Sequence, residues 1–157
     1  MKVSVVSGWF DPIHSGHIAY LNAAKEQGDI LIVALNSDAW LTNKKGQPFM
    51  NFEERRTILE NLSCVDEVMD FKDDELGSCI NALVSIKQKY PNEHIIFCNG
   101  GDRNDSNIPE MSVSGIDFKF SIGGEDKKNS SSWILKNWQG DSEDRVWGKF
   151  FNLYQDK

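Results

Sequence analysis

The chain has 157 residues, 17 Lys and Arg against 24 Asp and Glu, and a formal net charge of −7. At 39% hydrophobic and 26% charged residues it reads as one ordinary globular domain, able to bury roughly 70% of its unfolded surface, and not as a disordered chain. The acidic balance argues against a surface that tracks a nucleic-acid backbone, yet it allows a small basic pocket for a phosphorylated ligand. No apolar run approaches the roughly 20 residues of a membrane span. Met1-Lys2 leads straight into Val-Ser-Val-Val with no signal-peptide core, so a cytoplasmic protein with no membrane partner is expected. Cys64, Cys79 and Cys98 are odd in number and far apart, which reads as buried reduced thiols.

Lys2 to Ser7, apolar on alternate positions and bounded by Gly8, reads as a first strand. Ser15-Gly16 opens a helix through Ile18–Ala24 that stops near Gly28. Asp29 to Leu35 (DILIVAL) is a continuous apolar run, as in a strand buried on both faces of a parallel sheet. Asn36 to Pro48 is polar and is read as a loop. Asn51 and Glu54 have the spacing of a capping box before a helix through Ile58, Leu59 and Leu62. Val65 to Phe71 reads as a third strand, Ser78 to Tyr90 as a helix stopped by Pro91, and His94 to Cys98 as a fourth strand. Asn104 to Ser114 reads as a surface loop and Phe118 to Ile122 as a fifth strand. Ser130-Ser131-Ser132 caps a helix through Trp133, Ile134, Leu135 and Trp138. The alternation predicts an α/β domain with a doubly wound parallel sheet, Rossmann-like, over residues 1–138. Residues 139–157, with Trp147, Phe150, Phe151 and Tyr154, form an aromatic extension expected to pack on the domain or at an interface.

The stretch Gly8-Trp9-Phe10-Asp11-Pro12-Ile13-His14-Ser15-Gly16-His17 follows a strand and opens a helix. In a doubly wound sheet that puts it at the carboxyl edge, where ligands bind. His14 and His17 are three apart and converge. Gly16 lets an anion approach the backbone, and the free N–H groups of the helix start favour phosphate. Such parts suit phosphoryl chemistry, which is mostly positioning and charge stabilisation.

Gly-x-Phe-Asp-x-x-His-x-Gly-His resembles the signature of the nucleotidyltransferase superfamily with the His-x-Gly-His motif. Asn36-Ser37-Asp38-Ala39, Lys45-Gly46, Glu54-Arg55, Val65-Asp66-Glu67-Val68 and Gly100-Gly101-Asp102 are similar to the sugar-phosphate adenylyltransferase domain of the bacterial heptose pathway. They are similar, somewhat less closely, to glycerol-3-phosphate cytidylyltransferase. The resemblance covers most of residues 3 to 138. It implies transfer of a nucleoside monophosphate from an NTP, ATP slightly ahead of CTP, to a phosphorylated sugar or polyol, with release of pyrophosphate. His14 and His17 would stabilise charge at the α-phosphate, with Lys45, or Lys44 as its rival, neutralising it. Gly8, Trp9, Phe10 and Gly16 would meet the nucleotide through the backbone, Asp102 and Arg103 would lie near ribose and base, and Ser130, Ser131 and Ser132 would hold the outer phosphates. Arg55 would bind the acceptor phosphate, with Asp11 beside it shaping the loop. Mg²⁺ would be held by the NTP phosphates and not by the protein alone. Relatives commonly form homodimers or larger assemblies, which the resemblance extends to this chain. A glycerol-3-phosphate-type cytidylyltransferase and a nucleotide-binding regulatory module without turnover are the alternatives.

Overall fold

The structure, a computed structural model, describes residues 1–101, 108–123 and 130–139. Five strands, β1 (Lys2–Gly8), β2 (Ile30–Leu35), β3 (Glu67–Met69), β4 (His94–Cys98) and β5 (Asp117–Lys119), form one sheet in the order β3-β2-β1-β4-β5. Every pairing is parallel. The helices are α1 (Ser15–Glu26), α2 (Asp38–Lys45), α3 (Phe52–Glu60), α4 (Ile80–Lys89) and α5 (Ser131–Trp138).

Period-two alternation sends successive strand residues to opposite faces of the sheet. Leu31, Val33 and Leu35 of β2 pack with Leu21 and Ala24 of α1 and Leu59 of α3. Ile32 and Ala34 pack on the other face with Ala82, Leu83 and Ile86 of α4. The continuous apolar run of β2 is thus explained by burial on both sides. The three cysteines are buried free thiols. Among the described residues no helix is long and apolar enough to cross a membrane.

Four expectations need correction. The stretch Asn36–Pro48 is not a loop, because α2 runs through it. Ser37 Oγ accepts the Trp40 N–H at 3.0 Å, Leu41 is buried, and Lys44 and Lys45 complement the helix C-terminus. Gly46, at φ +95, ends the helix in a conformation that other residues resist. The expected fifth strand is displaced: β5 stops at Lys119, and Ser121 takes a positive φ in the turn that follows. The third strand keeps only Glu67–Met69 of Val65–Phe71. The described part of Asn104–Ser114 is not a surface loop, since Ile108 joins the core and Glu110 is buried in a 3₁₀ turn over Pro109–Ser112. Asn51 does cap α3, its Oδ1 accepting the Glu54 N–H at 3.0 Å, and α3 ends before Leu62. The aromatic tail, residues 140–157, lies outside the described residues.

Candidate active site

The chain winds from β1 to β2 on one side and crosses to β4 on the other, so the topological switch point lies at the carboxyl end of β1. The segment 8–17 occupies that point. Gly8 ends β1, and its carbonyl accepts the Asn36 N–H at 2.9 Å, tying the loop to the end of β2. Phe10 is buried, with its edge on the His17 ring at a centroid distance of 4.9 Å.

His14 and His17 are the start of α1. The Gly16 N–H donates to His14 Nδ1 at 3.1 Å, and the His14 N–H donates to His17 Nδ1 at 3.2 Å, a reciprocal capping box made of two imidazoles. The rings stack at 3.8 Å. A nitrogen that accepts a backbone N–H carries no proton, so each neutral ring holds its proton on Nε2. The backbone thereby fixes the tautomer of each neutral ring, with Nε2–H as its donor. Burial, and secondarily the neighbouring His14, lower the His17 pKa to about 3, so His17 is an uncharged donor at neutral pH. Gly16 also serves this device. A Cβ there would lie 2.9 Å from His14 Cε1, and its N–H donates to His14. Space at Gly16 admits the imidazole.

The low His17 pKa predicts a pH dependence of stability. The folded pKa lies below the unfolded value of about 6.5, so the unfolded state binds the proton first. The contribution is complete above pH 6.5 and is lost as pH falls toward 3. We expect the denaturant midpoint to drop between pH 6 and pH 4 with a His17 share of roughly 1 kcal/mol per pH unit. A His17→Asn protein should lose that share of the slope, and an unchanged slope would refute the assignment.

Lys45 reaches back from the last turn of α2 to the loop. Its Nζ donates to the Asp11 carbonyl at 2.8 Å, pairs with Asp11 Oδ2 at 3.1 Å, and lies 4.8 Å from the Trp9 ring centroid. Lys44 points outward and is exposed, so only Lys45 joins the loop. From the far end of the chain, Ser131 Oγ donates to the Pro12 carbonyl at 2.7 Å, which seats the start of α5 on the same loop. Ser130 caps α5 through the Trp133 N–H at 3.1 Å, and Ser132 is exposed. Asp102 and Arg103 lie outside the described residues, just beyond Gly100-Gly101 at the carboxyl end of β4.

Both acceptor-side residues are engaged within the protein. Arg55 is 1% exposed. Its Nε donates to the Met50 carbonyl (3.0 Å), Nη1 to those of Trp9 (3.0 Å) and Asn36 (2.8 Å), and Nη2 to Asp38 Oδ1 (2.7 Å). A guanidinium so engaged ties the loops around the site together. Asp11 is fully buried, its two oxygens accepting the Phe49 and Met50 N–H groups at 2.6 and 2.7 Å. It anchors the chain beyond α2 and pairs with Lys45 from inside. Sequence reasoning missed Trp40, whose ring meets Trp9 edge-on at 5.9 Å and whose Nε1 donates to the Gly77 carbonyl at 3.0 Å. The Ser37 cap three residues earlier was the available signal.

A parallel sheet of this order, with paired imidazole donors and a lysine at its switch point, defines a Rossmann-like nucleotidyltransferase domain. The chain belongs to the cytidylyltransferase-like family, whose model matches residues 5–116. It is 45% identical over 84 residues to the bifunctional protein HldE of Helicobacter pylori, a match covering 52% of this chain and 18% of that protein. The chain therefore spans about a fifth of that relative's length. Among solved structures it resembles a lipopolysaccharide core biosynthesis protein from Thermoplasma volcanium, with a TM-score of 0.60 and 23% identity over 80% of this chain and 98% of that one. It also resembles a bifunctional NMN adenylyltransferase/ADP ribose pyrophosphatase from Francisella tularensis, complexed with AMP and a Mn ion. There the TM-score is 0.62 at 18% identity, over 88% of this chain and 42% of that one. Likeness at these identities speaks to the fold.

Proposed function

We infer that the domain transfers a nucleoside monophosphate from an NTP to a phosphorylated sugar or polyol and releases pyrophosphate. The observation that carries this reading is the tautomer-locked histidine pair at the switch point, with Lys45 and the start of α5 drawn onto the same loop. ATP is the preferred donor, with CTP second. The likeness to heptose-pathway adenylyltransferase domains and the 84-residue match to HldE support that order and the sugar phosphate.

The acceptor's phosphate oxygen attacks the α-phosphorus, the bond from that phosphorus to the bridging oxygen breaks, and the electron pair leaves with pyrophosphate. Charge grows on the α-phosphate oxygens and the bridging oxygen. The Nε2–H groups of His14 and His17 donate to them, and the Lys45 ammonium neutralises the same region. The phosphate nucleophile is already ionised near neutral pH, so no general base is required. Ser130, Ser131 and Ser132 hold the outer phosphates at the start of α5. Asp102 and Arg103 take the ribose and base, and Gly8, Trp9 and Phe10 bound the nucleotide through the backbone. The donors gathered here, imidazole N–H and ammonium, suit anions and not cations. Mg²⁺ would accordingly come with the NTP and neutralise part of the triphosphate charge. Among the described residues no group of three or more His, Cys, Asp and Glu could hold a metal.

The test is Mg²⁺-dependent pyrophosphate release, with ATP and CTP crossed against sugar, polyol and pantetheine phosphates. Release with none of them overturns the reading. Within it, Lys45→Ala should lower kcat/KM about a hundredfold and Lys44→Ala less than about threefold. The reverse order would move the role to Lys44.

A further inference from the structure

The histidines, Lys45 and the start of α5 account for the phosphates, but not for two tryptophans on the β2–β3 side of the loop. Trp9 and Trp40 are both half-buried and meet edge-to-face at 5.9 Å and 70°. Trp40 is pinned by its Nε1 bond to the Gly77 carbonyl, in the segment that follows β3. The same segment is fastened to the start of α2, where Ser37 Oγ donates to Asp73 Oδ2 at 2.6 Å. Two large aromatic surfaces held at fixed angles beside a reaction centre are a binding wall in the usual pattern of small-molecule sites: apolar lining with a few placed polar groups.

Lys45 joins this wall to the chemistry. Its ammonium lies 4.8 Å from the Trp9 ring and contacts Asp11 of the signature loop. An acceptor whose phosphate is neutralised by Lys45 extends its carbon skeleton onto Trp9 and Trp40. Three kinds of skeleton compete. A quaternary or primary amine would seek the aromatic faces as a cation, but Lys45 already takes that place over the Trp9 ring at 4.8 Å. A short linear polyol offers little C–H surface to an aromatic face. A hydroxylated ring offers a flat C–H face to the indoles, with its hydroxyls left free at the rim.

We propose that Trp9 and Trp40 form the acceptor-selecting wall of this site and take the ring of a cyclic sugar phosphate in preference to a linear polyol phosphate or an amine-bearing phosphate. This rests on the transferase reading above and deepens it. The test compares kcat/KM for a hexose 1-phosphate, glycerol 3-phosphate and phosphocholine at saturating ATP and at saturating CTP, in the wild type, Trp40→Ala and Trp40→Phe. The wild type should favour the hexose phosphate at least tenfold. Trp40→Ala should lower that acceptor's kcat/KM about thirtyfold with the NTP KM within twofold, and Trp40→Phe should recover most of it. A wild type that prefers glycerol 3-phosphate or phosphocholine overturns the proposal while the transferase reading stands. So does a Trp40→Ala loss shared equally by all acceptors, which marks a merely structural tryptophan. Where no acceptor releases pyrophosphate, tryptophan fluorescence titrated with the hexose phosphate decides. A saturable change that Trp40→Ala abolishes keeps the wall and discards the transferase, and no change discards both.

Discussion

His17→Asn should lower the rate of pyrophosphate release about a hundredfold to a thousandfold while the protein stays folded. The two tasks of His17 lie on opposite sides of its ring. Nδ1 accepts the His14 N–H and completes the cap of α1, whereas Nε2 carries the proton that the proposed transfer would use. Asn Oδ1 stands where Nδ1 stood, so the cap persists and the Nε2–H donor is lost. The loss should fall on kcat and leave the NTP KM within a few fold, because a donor aimed at developing charge acts mainly in the transition state. His17→Gln is the complement. Its amide nitrogen extends toward the Nε2 position, so part of the rate returns while the cap weakens, at a cost of about 1 kcal/mol. Near-normal turnover in the Asn variant, or equal losses in both, would remove His17 from the chemistry and leave it a helix cap.

The parts of the site that are contiguous in sequence were legible. His14, Gly16 and His17 lie within four residues at a strand–helix junction, so local pattern alone placed them at the sheet edge. β2 and β4 were legible because a strand buried on two faces is apolar along its length, and β1 because Val3, Val5 and Val6 recur before Gly8. Helix α2 was not. Leu41 is its one buried residue, so no periodic stripe marks it, and what holds it is the Ser37 cap, that single anchor and the lysines at its end. The setting of Arg55 was hidden for a different reason. A phosphate-binding arginine and a buried clamp carry the same charge at the same spacing. Only the tertiary fold brings Trp9, Asn36, Asp38 and Met50 to one guanidinium.

That clamp leads to the second large effect. Arg55→Ala should destabilise the protein by about 3–5 kcal/mol, a third or more of the stability of an ordinary domain. The carbonyls of Trp9, Asn36 and Met50 lose their donor together, around a side chain that is 1% exposed. Its bond to Asp38 is the lesser part, because Asp38 is 42% exposed and water can replace the partner. Arg55→Lys should recover little, since one ammonium on a flexible stem cannot reproduce a planar fork aimed at four acceptors. Urea unfolding measures both variants. Kinetics on whatever fraction stays folded separates the clamp from the phosphate hand that the sequence suggested. A clamp that sets Trp9 and the start of α2 together disturbs kcat and both substrate KM values at once. A stable Arg55→Ala protein with only the acceptor KM raised would return Arg55 to the acceptor phosphate, and the guanidinium would have to leave its four partners to reach it.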